Sequence, residues 1–198
     1  MLKNTRIGLI SINGCVYWCV NPLSFMTRMR CILTGFGALI LGLLIYYFYP
    51  YPKIPAGITI DKLVVVKSKH RLFAWSHNQL IQTYTIAIGK TTVGDKQFEG
   101  DCKTPEGSYF IFAKNPNSGW HKNLGISYPN AADIAVAKSR GLHTGGDIKI
   151  HGLKNGRFNI GRFHRWKDWT NGCIALTNEE VEDLYAHTPI GTPINIEP

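Results

Sequence analysis

A cysteine, a distant histidine and a run of small residues carry the chemistry written into this chain. Cys173 closes the run Asp168-Trp169-Thr170-Asn171-Gly172-Cys173 and stands 22 residues after His151, which ends the apolar stretch Ile148-Lys149-Ile150. A thiol is a weak nucleophile until it is ionised, so such a site needs a base within reach and electropositive surroundings. His151 supplies the base. Arg157, Arg162, His164, Arg165 and Lys167 place positive charge just ahead of the nucleophile, and the expectation is a Cys173 pKa pulled below the free-thiol value of about 8.5. Gly172 has no side chain to block a substrate carbonyl, and the amides from Asn171 to Cys173 are candidates to hold a developing oxyanion. Together these residues read as a cysteine acyl-transfer site.

The neighbouring residues leave alternatives open. His164 reads equally as a second base, a carboxylate-binding cation or a surface residue, and Arg162, Arg165 and Lys167 as substrate-binding cations. Asp168 and Trp169 brace the loop, or the aspartate orients an imidazole that the sequence does not single out. Thr170 hydrogen-bonds near the thiolate or satisfies the turn. Zinc at His143, His151 and His164 is set aside, because their spacing is irregular and a metal would quench the thiolate. The chemistry calls for no metal and no cofactor.

Three stretches carry a family resemblance: IHGLKNG around His151, GRFHRWKDWTNGCIALTNEE from Gly161 and GDCKTPEGSY from Gly100, followed by the terminal GTPINIEP. They resemble the YkuD-type L,D-transpeptidases, cysteine enzymes of bacterial peptidoglycan, in the subgroup with a DWTxGCIA form of the cysteine motif. The similarity runs from about Ile60 to the C-terminus. The family pattern of a His, a spacer, then Ser or Thr, any residue, Gly and Cys falls on His151, Thr170, Gly172 and Cys173. The resemblance implies a β-sandwich-like catalytic fold, mainly β with helices, acting on peptidoglycan stem peptides through a thioester and trapped covalently by carbapenems. Many members carry His or Arg where this chain has Asn171, and Arg or Asn where it has Ala175, so the acyl acceptor stays open between a second stem, a lipoprotein lysine and water. The last makes an L,D-carboxypeptidase or an amide hydrolase. A reading of another class, an inactive wall-binding module, would need neither His151 nor Cys173.

The elements that must position these residues are mostly strands. Asp61–Lys67, Leu72–Trp75 and Leu80–Gly89 alternate with polar turns, as an antiparallel meander does. Ser108–Ala113, Ile148–His151, Cys173–Leu176 and Pro193–Ile196 are further strands. Thr177 with Glu180 makes a capping box for a helix bearing Val181, Leu184 and Tyr185 on one face. Residues 115–145 read as a long connection holding a short helix at Ala131–Ser139.

Ahead of this domain, Ile32–Tyr49 contains no charged residue, and 18 residues of helix cover about 27 Å, close to a bilayer's hydrocarbon thickness. Lys3, Arg6, Arg28 and Arg30 precede it and no acidic residue occurs before Asp61. The charge asymmetry predicts a single-pass signal anchor in the cytoplasmic membrane with everything after Pro50 periplasmic or otherwise outside. The expected layout is a cytoplasmic segment 1–30, an anchor 31–49, a Pro-rich linker 50–59 and a catalytic domain 60–198, probing the wall as a monomer. A cleaved signal peptide and a true start at Met26 or Met29 are the competing readings.

Four of the positive charges lie in that N-terminal flank, which leaves +5 of the net +9 for the rest. No nucleic-acid motif accompanies them, and basic surface outside a membrane suits carboxylate-bearing peptides. Lys67, Lys69 and Arg71 read as well as a solvated hairpin flank. Cys15, Cys19 and Cys31 fall in or before the anchor, leaving Cys102 as a small turn residue or a redox partner of Cys173.

Overall fold

The computed structural model describes residues 8–12, 15–19 and 22–198, and the chain divides into two units, Met1–Tyr49 and Pro50–Pro198. In the first unit, β1 (Gly8–Ile12) pairs antiparallel with β2 (Cys15–Cys19), and α1 follows at Pro22–Phe48. Lys3 and Arg6 lie outside the described residues. Proline is at home in the first position of a helix, and nothing between Met26 and Cys31 breaks one, so α1 starts well before the apolar run and takes in Arg28 and Arg30. Its segment Phe25–Phe48, 24 residues with mean hydropathy 2.1, is long and apolar enough to cross a membrane.

The second unit is a mixed eight-stranded sheet with two helices. Its strands are β3 (Lys62–Val66), β4 (Arg71–Ser76), β5 (Gln79–Thr85), β6 (Gly107–Ser118), β7 (His121–Ile126), β8 (Lys149–His151), β9 (Ile174–Ala175) and β10 (Pro193–Glu197). They lie in the order β5-β4-β3-β10-β6-β7-β8-β9, with only β10–β3 and β8–β9 parallel. The first three strands form the expected meander. His77 and Asn78, both at positive φ (50° and 61°), make the tight turn between β4 and β5, the backbone that matches strand twist. Alternate residues of β3 and β4, Leu63, Val65, Leu72 and Ala74 among them, are fully buried. They join Tyr84, Ile111, Leu124, Ile150, Ile174, Leu176 and Ile194 in one core.

Two sequence expectations change. First, β7 runs through the stretch read as a connection: HKNLGI lacks β-branched alternation, yet it pairs with β6 on one side and β8 on the other. A Cβ at Gly125 would come within 2.8 Å of the exposed Phe112 ring, which would have to shift. Second, the segment 50–59 is laid against the domain. Asp183 on α3 (Asn178–His187) accepts hydrogen bonds from the Tyr51 hydroxyl at 2.6 Å and the Ile54 amide at 3.2 Å, while His187 Nδ1 donates to the Ile58 carbonyl at 2.7 Å. Pro-rich composition signals rigidity here, not slack. The short helix α2 (Ala131–Ser139) and the Thr177–Glu180 capping box are both present.

The two edges of the sheet meet. Beyond β5, Ala87 exchanges backbone hydrogen bonds with Ala175 of β9 at 2.8 and 3.1 Å, and Gly89 bridges Thr170. This seam lays residues 87–90 along the loop that precedes Cys173.

Candidate active site

His151 ends β8 and is 6% exposed. Its Nδ1 lies 2.7 Å from the carbonyl oxygen of Gly152; a carbonyl only accepts, so Nδ1 carries the proton and Nε2 keeps the lone pair. Gly152 can approach because it has no side chain: a Cβ there would meet Asn178 Oδ1 at 2.7 Å. The ring packs against both Trp120, at 5.0 Å between centroids, and Trp169, at 5.8 Å. Burial pushes its pKa down, against a smaller opposing effect of the Gly152 bond, and the Lys149 cation adds to the depression. The imidazole is neutral at neutral pH.

Cys173 stands one residue before β9, whose parallel register sets His151 opposite Ala175. Side chains two apart on a strand share a face, so Cys173, Ala175 and His151 project to the same side of the sheet. The thiol donates to the Asp147 carbonyl at 3.7 Å. Burial pushes its pKa up, and the Asp147 charge adds to the rise; the Lys149 amide and the charges of Lys149 and Lys96 oppose it. This reverses the expectation from sequence. The cations acting on the thiol are Lys149 and Lys96, not those of the 157–167 segment, and they do not overcome desolvation.

The loop before Cys173 is held by its own side chains. The Thr170 hydroxyl donates to the Cys173 carbonyl at 2.7 Å and accepts from the Gly172 amide at 3.1 Å, so it satisfies the turn. Gly172, at φ 129°, passes so close to the chain at Lys103 that a Cβ would lie 2.7 Å from that carbonyl. Close crossing, more than substrate approach, requires glycine here. With the Gly172 amide engaged, the Asn171 and Cys173 amides remain the candidate donors in this turn for an oxyanion. Asn171 is exposed, and its Oδ1 accepts from Lys90 Nζ at 3.0 Å and from Cys102 Sγ at 3.8 Å.

Comparison with known proteins bears on this geometry. The model of the L,D-transpeptidase catalytic domain, YkuD, matches residues 60–196. The chain belongs to the YkuD family of L,D-transpeptidase catalytic domains. The L,D-transpeptidase-family protein YafK of Escherichia coli K12 is 30% identical over 54% of the chain and 37% of its own length. YqjB of Bacillus subtilis, of the same family, is 28% identical over 68% of the chain and 69% of its own length. Among solved structures, the helical cell shape determining protein Pgp2 of Campylobacter jejuni superposes with a TM-score of 0.53 at 27% identity, covering 71% of this chain and 48% of Pgp2. The chain thus spans less than half of YafK and of Pgp2.

Within this YkuD domain, the other residues picked from sequence scatter. Asp168 accepts from the Ile88 amide at 2.8 Å and faces His70 Nε2 at 2.8 Å, so the imidazole it orients is His70, neither His151 nor His164. Arg165 is turned inward: its guanidinium pairs with Glu180, the carboxylate of the α3 capping box, and the side chain is 10% exposed. It is unavailable to substrate. His164 is buried in the 3₁₀ segment Phe158–Trp166, which removes the surface reading. Arg162 is half-buried in the same segment and Lys167 is exposed just after it. Lys67 is 2% exposed and bound to Glu106 and to the carbonyls of Gly94 and Thr104, bracing the Thr-Pro-Glu-Gly turn beneath Gly172. Among the described residues, no group of three or more metal-ligating side chains comes together.

Sequence reasoning missed Trp120, Lys96, Lys149 and His70. Lys96 is 4% exposed and paired with Asp101 at 2.8 Å. A charged residue in the loop before GDCKTPEG carries no local signal of burial; only the Asp101 partner, five residues on, hinted at a fixed position.

Proposed function

We propose that the chain is a cysteine-dependent L,D-transpeptidase that remodels peptidoglycan stem peptides from a membrane anchor. The observation that carries this is the neutral His151 imidazole, its Nδ1–H committed to Gly152, on one sheet face with Cys173. At rest, burial favours the uncharged form of both groups, so the pair waits as thiol and imidazole. When a stem peptide excludes water and its carbonyl meets Sγ, the thiol proton passes to His151 Nε2 as the S–C bond forms. The Cys173 amide steadies the oxyanion. Collapse breaks the amide bond after the third stem residue, Nε2–H protonates the departing D-amino acid, and a thioester remains. His151 then deprotonates the acceptor that resolves it.

An amine acceptor gives a cross-link or a lipoprotein anchor, and water gives L,D-carboxypeptidase or amide-hydrolase activity. The likeness to Pgp2, named for helical cell shape, supports a role in wall remodelling by either route. In this reading α1 crosses the inner membrane with Arg28 and Arg30 on the cytoplasmic side, and the catalytic unit works in the periplasm.

Intact-mass measurement after exposure to a carbapenem, alongside digestion of tetrapeptide-bearing muropeptides, tests the proposal. Wild type is expected to gain one acyl adduct and to release the terminal D-amino acid. Cys173→Ala is expected to do neither, and Cys102→Ala to keep both. Turnover persisting in Cys173→Ala would overturn the assignment.

A further inference from the structure

The indole pair that packs against His151 also lines a cavity of about 250 Å³ that the acyl-transfer chemistry does not use. Trp120 and Trp169, stacked at 5.4 Å, form one wall, and Leu153 and Ile160 complete an apolar lining. Neither Cys173 nor His151 lines it. His164 does, at 6% exposure, and neither of its ring nitrogens has a hydrogen-bond partner. Leaving such a buried group unmatched is costly, and an exception of this kind calls for a reason. At the mouth, Lys154 and Arg157 are exposed, and among the described residues neither is in an ion pair with a carboxylate.

We infer that this cavity is a binding site, separate from the Cys173 thiol, for a small carboxylate with an aromatic or branched apolar body. The walls match a flat or branched hydrocarbon, and the volume is that of roughly eight water molecules at ~30 Å³ each, enough for one ring system or side chain. His164, a neutral imidazole, offers one donor and one acceptor to a polar atom on that body. Lys154 and Arg157 offer the only charge complement, which is for an anion. The occupant would rest against the indoles that also pack on His151.

The test uses the full-length protein in lipid nanodiscs, in the Cys173→Ala form as well as wild type, so that its outcome does not depend on acyl transfer. Histidine ring nitrogens are followed by NMR while indole-3-acetate is added. The expected result is a saturable shift of the His164 ring with His143 unmoved. Indole-3-acetamide, which lacks the charge, and the Lys154→Met/Arg157→Met variant, whose changes are on exposed positions, should each weaken binding by about tenfold. Ile160→Trp should fill the space and abolish the shift. A tripeptide ending in tryptophan binding as well as the free acid would place the site's ligand at a peptide terminus, and its failure would assign it to free acids. No saturable His164 shift at millimolar indole-3-acetate, or equal binding by the amide, would overturn the inference.

Discussion

Residues 158–166 and 168–173 are neighbours in the chain and opposites in construction. In the nucleophile loop nearly every polar group is matched: Asp168 by His70 and Ile88, Thr170 by Gly172 and Cys173, Asn171 by Lys90. In the basic segment the backbone kinks at Gly161, Phe158 and Trp166 are 70% and 66% exposed, and His164 has two open valences. The contrast separates two jobs. One stretch is held by hydrogen bonds around Cys173, and the other exposes two aromatic rings and lines a hollow at His164.

The sharpest way to break this contrast is at the base. His151→Gln keeps a polar side chain of similar reach but loses the proton acceptor, and should lower muropeptide turnover at least ~10²-fold, the lower end for a lost general base. Unchanged turnover would mean that the buried imidazole only fills space. Next comes the brace. Thr170→Val leaves the Gly172 amide and the Cys173 carbonyl unmatched, and urea unfolding should record a loss of about 1–3 kcal/mol, whereas Lys167→Met, at the exposed position just after residues 158–166, should stay within about 0.5 kcal/mol.

Acid sensitivity sharpens the comparison further. Burial first, then Arg165 and His151, push the His164 pKa from 6.5 down to about 3. The unfolded chain therefore binds a proton that the folded chain refuses, so the stability held above pH 6.5 drains away as pH falls toward 3. His164→Phe should flatten the unfolding midpoint across that window, as followed by thermal melts; an identical acid slope in the variant would place the titrating group elsewhere. The smallest effect concerns the thiol. Its raised pKa means that alkylation by iodoacetamide should climb with pH beyond the free-thiol value of about 8.5. Lys149→Met should move the midpoint up, and Arg157→Met should leave it nearly still.

What was readable in the sequence follows from how local each signal is. The meander, the Thr177 capping box and the Gly172-Cys173 turn depend on residues a few positions apart, and all three are present in the structure. β7 was hidden although β6 precedes it by a tight turn at Ser118 and His121, because HKNLGI lacks β-branched alternation and its other partner, β8, lies far along the chain. The direction of the Cys173 shift was hidden for a related reason. Counting cations in 157–167 measures charge along the chain, while the thiol responds to burial and to Lys149 and Lys96, one of them brought in from a remote loop. Arg165 illustrates the same limit: its type suggested a substrate contact, and only the fold reveals that Glu180 has claimed it.

The seam between Ala87 and Ala175 has a bearing on how an extended peptide can be recognised. β9 would otherwise be a free edge, and an open edge beside a nucleophile invites a substrate to dock as one more strand, held by its backbone regardless of side chains. Here residues 87–90 already occupy that line of donors and acceptors. Under the proposed function, a stem peptide is then gripped by its side chains, its branch points and its carboxylates, features in which wall peptides differ from ordinary protein segments. A closed edge thus works as a filter: unstructured polypeptide drifting past the thiol finds no ladder to join.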